Sequence, residues 1–162
     1  MASNEAWTTI VASSLGWEQA HASFDHAVRN LAPDLRGRRP ANFPHSTWEL
    51  VDHIRATQHD LLEFCRNPNY AEPHWPDDYW PSAPEPASDD AWTQSLVAIK
   101  ADRRALERFT VEPGRDLTAK IPPPHGTGQT FLRTILVAMD HTSYHVGQII
   151  AVRRLLDAWP PE

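Results

Sequence analysis

The distribution of proline is the feature that most constrains the fold of this 162-residue chain. Its 15 prolines are confined to four regions: 33–44, 68–86, 113–124 and 160–161. A proline inside a helix removes a backbone donor and clashes with the preceding turn, so helix interiors exclude it. Four proline-free stretches remain: 1–32, 45–67, 87–112 and 125–159. Their apolar residues repeat at helical spacing. The sequence therefore predicts an all-α four-helix bundle with long proline-rich connections, as one domain over 1–162.

The first of these helices is expected to begin after Ser3 or Asn4 and to run to about Leu31. Large apolar residues repeat every seven positions along it: Ile10, Trp17, Phe24 and Leu31. An unbroken helix would place all four on one face, which would pack against the rest of the bundle.

The other three helices have local start signals. Ser46 followed by Glu49 is a capping-box pattern and predicts a helix from there to about Arg66. Ser88, which precedes two aspartates, predicts the start of the third helix. The fourth helix is expected from about Gln129 to Asp157, where proline is again absent.

Two histidines lie four residues apart in the fourth helix. His141 and His145 share one helix face at this spacing, so their rings can converge on a metal ion. Helical phasing places both in the middle of an apolar stripe, where the polar ring atoms need a partner. The spacing alone is weak evidence, and a metal site needs a third ligand.

His53 in the second helix is the candidate third ligand, because it lies at the edge of that helix's apolar stripe. Three imidazoles with one open coordination position are typical of catalytic zinc, and imidazole also suits other divalent metals. A lone histidine on a half-apolar face is more often a satisfied core residue, so this alternative stays open. Three carboxylates are candidates for orienting the rings or serving as a base: Glu49, Asp60 and Asp140.

The connection over 67–87 has two interpretations. It is long for a segment without regular structure, so it is either a packed crossover or a lid over the site. The crossover is favoured, because an extended segment of this length easily spans a helix of about 20 residues. Aromatic residues here and in the next connection can line a pocket, although packing of the loop is favoured: Trp75, Tyr79, Trp80 and His125.

The fourth helix is also apolar on the side opposite the histidines. The residues that form this second stripe are Leu136, Met139, Val146 and Ile150. Four helices cannot easily surround one of their own number, so a second subunit is expected to cover this side. The sequence predicts a homodimer through the fourth helix, with Gly147 allowing close approach.

Charge and cysteine content exclude several classes of function. A formal charge of −6 and a pI near 5.8 argue against a nucleic-acid partner. The single cysteine, Cys65, fits a reducing compartment and is expected to be a buried small apolar residue. No signal-peptide pattern and no apolar run of ~18 residues is present, so a cytoplasmic protein without a membrane partner is expected.

Two segments resemble the DinB/YfiT superfamily. These are 48–54, Trp-Glu-Leu-Val-Asp-His-Ile, and 140–148, Asp-His-Thr-Ser-Tyr-His-Val-Gly-Gln, the latter followed by Arg-Arg-Leu-Leu at 153–156. The resemblance implies an up-down-down-up bundle, commonly dimeric, and a divalent metal held by His53, His141 and His145. Zinc and nickel are the metals most expected.

Family activities are metal-dependent transfers or isomerisations that use a low-molecular-weight thiol such as bacillithiol, mycothiol or glutathione. The resemblance therefore implies a metal that activates a thiol, as in an S-transferase, or water, as in a hydrolase, against a small-molecule substrate. The alternatives are a metal-stabilised homodimer or small-ligand-binding protein without catalysis, and a histidine-containing core without metal.

Overall fold

Four long helices occupy the four proline-free stretches of the chain. The computed structural model describes residues 2–161, with side chains from residue 6 onward. Two short helices lie between the first and second long ones. The helices in chain order are α1 (Ala2–Ser14), α2 (Phe24–Val28), α3 (Pro33–Arg36), α4 (Thr47–Arg66), α5 (Asp89–Thr110) and α6 (Phe131–Leu155). Over residues 2–161 there is no strand, so the predicted all-α class is confirmed. The up-down-down-up order stays a prediction.

The first helix is shorter than predicted. It ends at Ser14, and the prediction that it continues to Leu31 was wrong. Gly16 is a poor helix residue, and the backbone turns there with a bond from its N–H to the Ser13 carbonyl. The Ser23 hydroxyl then accepts from the His26 N–H and begins the separate helix α2. The expected continuous stripe is consequently split: Phe24 and Leu31 are buried, whereas Ile10 and Trp17 are exposed.

Side-chain caps fix the starts of the helices that carry the candidate ligands. At α4 the Ser46 hydroxyl accepts from the Glu49 N–H, and the Glu49 carboxylate accepts from the Ser46 N–H, which is the predicted capping box. At α6 the Thr130 hydroxyl accepts from the Arg133 N–H. The third predicted start is also confirmed, since Ser88 caps α5.

Helix α4 lies at the centre of the packing. It packs against α5 on one side and α6 on another, while α1 packs against α5 and α2 against α6. The largest core cluster joins apolar residues from α2, α4, α5 and α6, among them Phe24, Leu50, Ile54, Ile99 and Ile149. The direct α4–α6 contact brings the helix of His53 against the helix of His141 and His145. No helix over residues 2–161 is both long and apolar enough to cross a membrane.

The second apolar stripe of α6 is largely covered within the chain. Val146 is 2% exposed, and Ile150 packs against the main core cluster. Helix α2 packs against α6 and contributes to this burial. The predicted long first helix did not include α2 as a separate element. Leu136 remains 40% exposed. The expectation that the whole stripe faces outward was therefore wrong, and the homodimer stays a prediction.

Candidate metal centre

Three histidines from α4 and α6 converge at one point. The Nε2 atom of His141 lies 3.1 Å from the Nε2 atom of His53 and 3.1 Å from that of His145. One ring nitrogen from each of the three residues lies within 4.8 Å of the others. The sequence placed the pair on one face of α6, and the packing of α4 against α6 supplies the third ring.

Each ring has an acceptor at its other nitrogen. The His53 Nδ1 lies 2.9 Å from the Tyr79 carbonyl oxygen, which can only accept a hydrogen bond. The His145 Nδ1 lies 2.7 Å from the Gln148 Oε1. The His141 Nδ1 lies 3.3 Å from the Thr57 hydroxyl, whose own hydrogen is donated to the His53 carbonyl. A neutral imidazole carries one N–H. The Tyr79 carbonyl therefore holds the His53 proton at Nδ1, and the Gln148 and Thr57 oxygens are placed to accept from Nδ1 of the other two rings in the same tautomer.

Burial keeps the three rings neutral. His53 is 2% exposed and His145 is 6% exposed, while His141 is partly exposed. Burial, with a smaller contribution from the neighbouring histidines, lowers the pKa of His53 and of His141 to about 4. Burial also lowers the pKa of His145, against the opposing hydrogen bond to Gln148. The lone-pair form that binds a metal is therefore the form present at neutral pH.

The donor set fits a divalent metal ion. Three Nε2 lone pairs point toward one another without an N–H between them, an arrangement that repels unless a cation lies among them. Zn–N bonds of ~2.0–2.1 Å at tetrahedral angles place two ligand nitrogens about 3.3 Å apart, close to the two 3.1 Å separations of the His141 Nε2 from the other two rings. Hydrogen bonds from the outer ring nitrogens to carbonyl, amide and hydroxyl oxygens are also those expected around metal-ligating histidines.

A comparison with protein families agrees with this geometry. The model described as the DinB superfamily matches residues 17–149, which is most of the chain and includes all three histidines. The chain belongs to the DinB superfamily. Comparisons with curated proteins and with solved structures give no match.

The three carboxylate candidates of this DinB-superfamily chain lie in other interactions. Glu49 completes the α4 capping box and pairs with Arg39. Asp60 accepts from the hydroxyls of Tyr70 and Tyr79, so it anchors the connection after α4. Asp140 is exposed and lines a shallow surface groove with Leu136 and neighbouring residues of α6. The structure thus brings the three histidines together but does not bring these carboxylates to them.

The connection between α4 and α5 packs against the site. Trp80 stacks on the His53 ring with 3.8 Å between ring centroids and 5° between planes. The His45 ring also stacks on Trp80, with 4.4 Å between ring centroids. Tyr79 is buried, and the Pro84 carbonyl accepts from the Ser46 hydroxyl. The segment is therefore a crossover packed through its aromatic residues, and it forms one wall of the metal centre.

Three partners of the histidines were not assigned a role from the sequence. Thr57 and Gln148 follow His53 and His145 by four and three residues, so helical spacing contained a signal for both. No sequence signal indicated the Tyr79 carbonyl, because every residue has a backbone carbonyl. His125 lies elsewhere, packed on Phe64 and Tyr70.

Cys65 does not belong to this centre. It is buried in a separate apolar cluster, and burial raises the pKa of its thiol to about 12. A thiol that stays protonated is a poor nucleophile. The prediction of a buried small apolar residue is confirmed.

Proposed function

We propose that this protein is a metal-dependent enzyme in which His53, His141 and His145 hold a divalent ion that activates a low-molecular-weight thiol or water. The reaction partner is a small-molecule substrate. One observation carries the proposal: one ring nitrogen from each of the three histidines converges, and an oxygen that can accept a hydrogen bond lies at the Nδ1 of each ring. With the protons at Nδ1, a histidine-containing core without metal would direct three acceptors at one another with no donor or cation between them.

A bound divalent ion with an open coordination position supplies Lewis-acid chemistry, which lowers the pKa of a thiol or water bound to it. Residues around the three histidines orient the rings and limit access of water. Tyr79, Thr57 and Gln148 orient the three rings, and Trp80 excludes water from one face of His53. No carboxylate among Glu49, Asp60 and Asp140 has a base role in this proposal, because each is engaged or directed elsewhere.

Zinc and nickel are the proposed metals, since imidazole ligands suit both. Transfer of a thiol is proposed ahead of hydrolysis, and this order rests on the family resemblance alone. A cytoplasmic location stays a prediction.

The metal claim is tested by elemental analysis of purified protein. Wild type should carry close to one divalent ion per chain, and both His141→Ala and His145→Ala should carry almost none. The matched control is His59→Ala, which removes an exposed histidine from α4 that pairs with Asp102. Equal metal content in wild type and His145→Ala would contradict the proposal.

The catalytic claim needs a separate experiment. Metal-loaded protein is incubated with bacillithiol, mycothiol or glutathione and a panel of small electrophiles, and loss of free thiol is followed. Turnover should require both the ion and His141. Metal binding without turnover, or water alone as the active nucleophile, would exclude the S-transferase assignment.

A second candidate is a metal-stabilised homodimer or small-ligand-binding protein without catalysis. It is supported by the separation of all three candidate bases from the histidines and by the exposed Leu136 on α6. Under this candidate, chelation lowers the thermal stability of the protein, but no thiol and electrophile pair is consumed faster in its presence.

A further inference from the structure

Two large aromatic side chains stand mostly exposed beside the ligand rings. Trp75 is 63% exposed, and its ring centroid lies 6.4 Å from that of His53 in an edge-on orientation. Tyr144 is also 63% exposed, and its centroid lies 5.0 Å from that of His145. Exposed apolar surface next to a few convergent polar groups is typical of a ligand site.

Neither aromatic ring is loosely placed, because each is tied to a ligand histidine through one intermediary. Trp75 packs on Tyr79 at 5.4 Å, and the Tyr79 carbonyl accepts from His53. The Tyr144 hydroxyl accepts from the Gln148 amide, whose oxygen accepts from His145. Rings held in this way need little further ordering when a ligand binds against them.

The surroundings of these rings are not suited to anions. Over residues 6–161, neither lysine nor arginine forms a hydrogen bond, ion pair or cation–π contact with the three histidines, Trp75, Trp80 or Tyr144. The segment that carries Trp75 also carries three exposed carboxylates: Glu72, Asp77 and Asp78. A negatively charged group bound against Trp75 would therefore lie beside a segment rich in carboxylates, without a lysine or arginine on these rings to offset its charge.

We propose that Trp75 and Tyr144 contact the substrate and select an uncharged molecule that carries an aromatic ring beside its metal-binding atom. This inference rests on the proposed function, because the ion would fix the end of the molecule that reacts. Trp75 covers the ring from the His53 side and Tyr144 from the His145 side. The partly exposed His141 contacts both of these histidines, with ring centroids 4.9 Å from His53 and 4.4 Å from His145.

The test uses three ligands with the same chelating head: acetohydroxamate, benzohydroxamate and 4-carboxybenzohydroxamate. Each is titrated into the full-length cobalt-loaded protein, and binding is followed by the visible absorption of the cobalt centre. Benzohydroxamate should bind about three- to tenfold more tightly than acetohydroxamate for each ring that it contacts. The carboxylated compound should bind more weakly than benzohydroxamate.

Variants separate the two aromatic residues from the rest of the site. Trp75→Ala and Tyr144→Ala should each lower the ratio of benzohydroxamate to acetohydroxamate affinity, whereas Trp75→Phe and Tyr144→Phe should retain most of it. Trp17→Ala removes a different exposed tryptophan and should leave the ratio unchanged. Circular dichroism confirms that each variant is folded.

The outcomes distinguish this inference from the proposed function. Equal affinity of wild type for all three hydroxamates overturns the inference while leaving the metal centre intact. The inference is also overturned if neither Trp75→Ala nor Tyr144→Ala changes the ratio of benzohydroxamate to acetohydroxamate affinity. Absence of cobalt absorption before any ligand is added means that the metal does not bind, and the proposed function fails together with this inference.

Discussion

A threonine hydroxyl sets the proton position on one ligand ring. Thr57 donates to the His53 carbonyl, so its oxygen is left to accept from the His141 Nδ1–H at 3.3 Å. We expect Thr57→Val to lower metal affinity about 10–100-fold, because His141 loses the acceptor that keeps Nε2 free for the ion. Competition with a chromophoric chelator measures the affinity.

Thr57→Ser is the matched variant, since it retains the hydroxyl and removes only a methyl group. Its metal affinity should stay within a few-fold of wild type. Equal affinity of Thr57→Val and Thr57→Ser would show that the hydroxyl does not orient His141.

The three proposed ligand residues could be predicted from spacing and family resemblance, but their surroundings could be predicted only in part. Helical periodicity placed His141 and His145 on one face and also placed Thr57 one turn from His53. The sequence could not indicate that the Tyr79 carbonyl holds the His53 proton. That contact depends on the path of an irregular segment, and a backbone oxygen has no signature in the residue type.

At the scale of single elements, the start of α4 carries a buried carboxylate that titrates. Burial raises the pKa of Glu49, but its pair with Arg39 and its bonds to Ser46 outweigh this and lower it overall. A lowered pKa in the folded state adds stability above the unfolded value of about 4.3, and this stability is lost as pH falls through the folded value.

We expect Glu49→Gln to reduce the free energy of unfolding by about 0.5–1 kcal/mol at pH 7, since the amide retains the cap but not the charge. The difference from wild type should shrink as pH falls below the unfolded value of about 4.3 and disappear once pH lies below the folded pKa. Urea unfolding between pH 3 and pH 7 measures this. A constant difference over the whole range would mean that the Glu49 charge is not the cause.

Helix α6 is tied to α2 by a buried arginine. Arg153 is 2% exposed and donates to the carbonyls of Ala27, Arg29 and Ala158. Arg153→Met leaves these acceptors without a donor, so we expect a loss of about 3 kcal/mol in the free energy of unfolding. The control Arg154→Met changes an exposed neighbour and should stay within about 0.5 kcal/mol in the same urea titration.

Local sequence patterns predicted the starts of α4 and α5 correctly but not the length of the first helix. Caps at Ser46 and Ser88 are local, and they appear where the sequence places them. The seven-residue repeat from Ile10 to Leu31 is also a local pattern, but it predicted one continuous helix where the chain turns at Gly16. The break allows α2 to pack on α6, a long-range contact that no helix-length pattern contains. Tertiary packing decided between one long helix and two shorter ones.

At the scale of the whole molecule, the three ligands come from two helices that separate on unfolding. An ion that binds only the folded chain stabilises it by about 2.7 kcal/mol at a free concentration 100 times its Kd. We therefore expect zinc or nickel to raise the thermal unfolding temperature of wild type and EDTA to reverse the shift. His145→Ala should show no response to either addition, and a response equal to wild type would place the ion elsewhere.

The association of two copies depends on what remains exposed on α6. Val146 is buried within the main core cluster, so less of the second apolar stripe is exposed than the sequence suggested, and Leu136 is the member of that stripe that is 40% exposed. Gly147 lies in the same helix and is exposed, and a Cβ at this position would meet nothing within 4 Å in the chain itself. Among the side chains described, those of residues 6–161, none comes close enough to require a glycine there.

This glycine gives a decisive prediction for the homodimer. In an isolated chain, Gly147→Ala would stabilise α6 by about 1 kcal/mol through helix propensity. If two copies approach closely at Gly147, the added methyl group should instead shift the dimer toward monomer in light scattering at micromolar concentration. Ala101→Gly, an exposed change in α5, should leave the mass unchanged. A monomeric wild type, further stabilised by Gly147→Ala, would exclude the dimer.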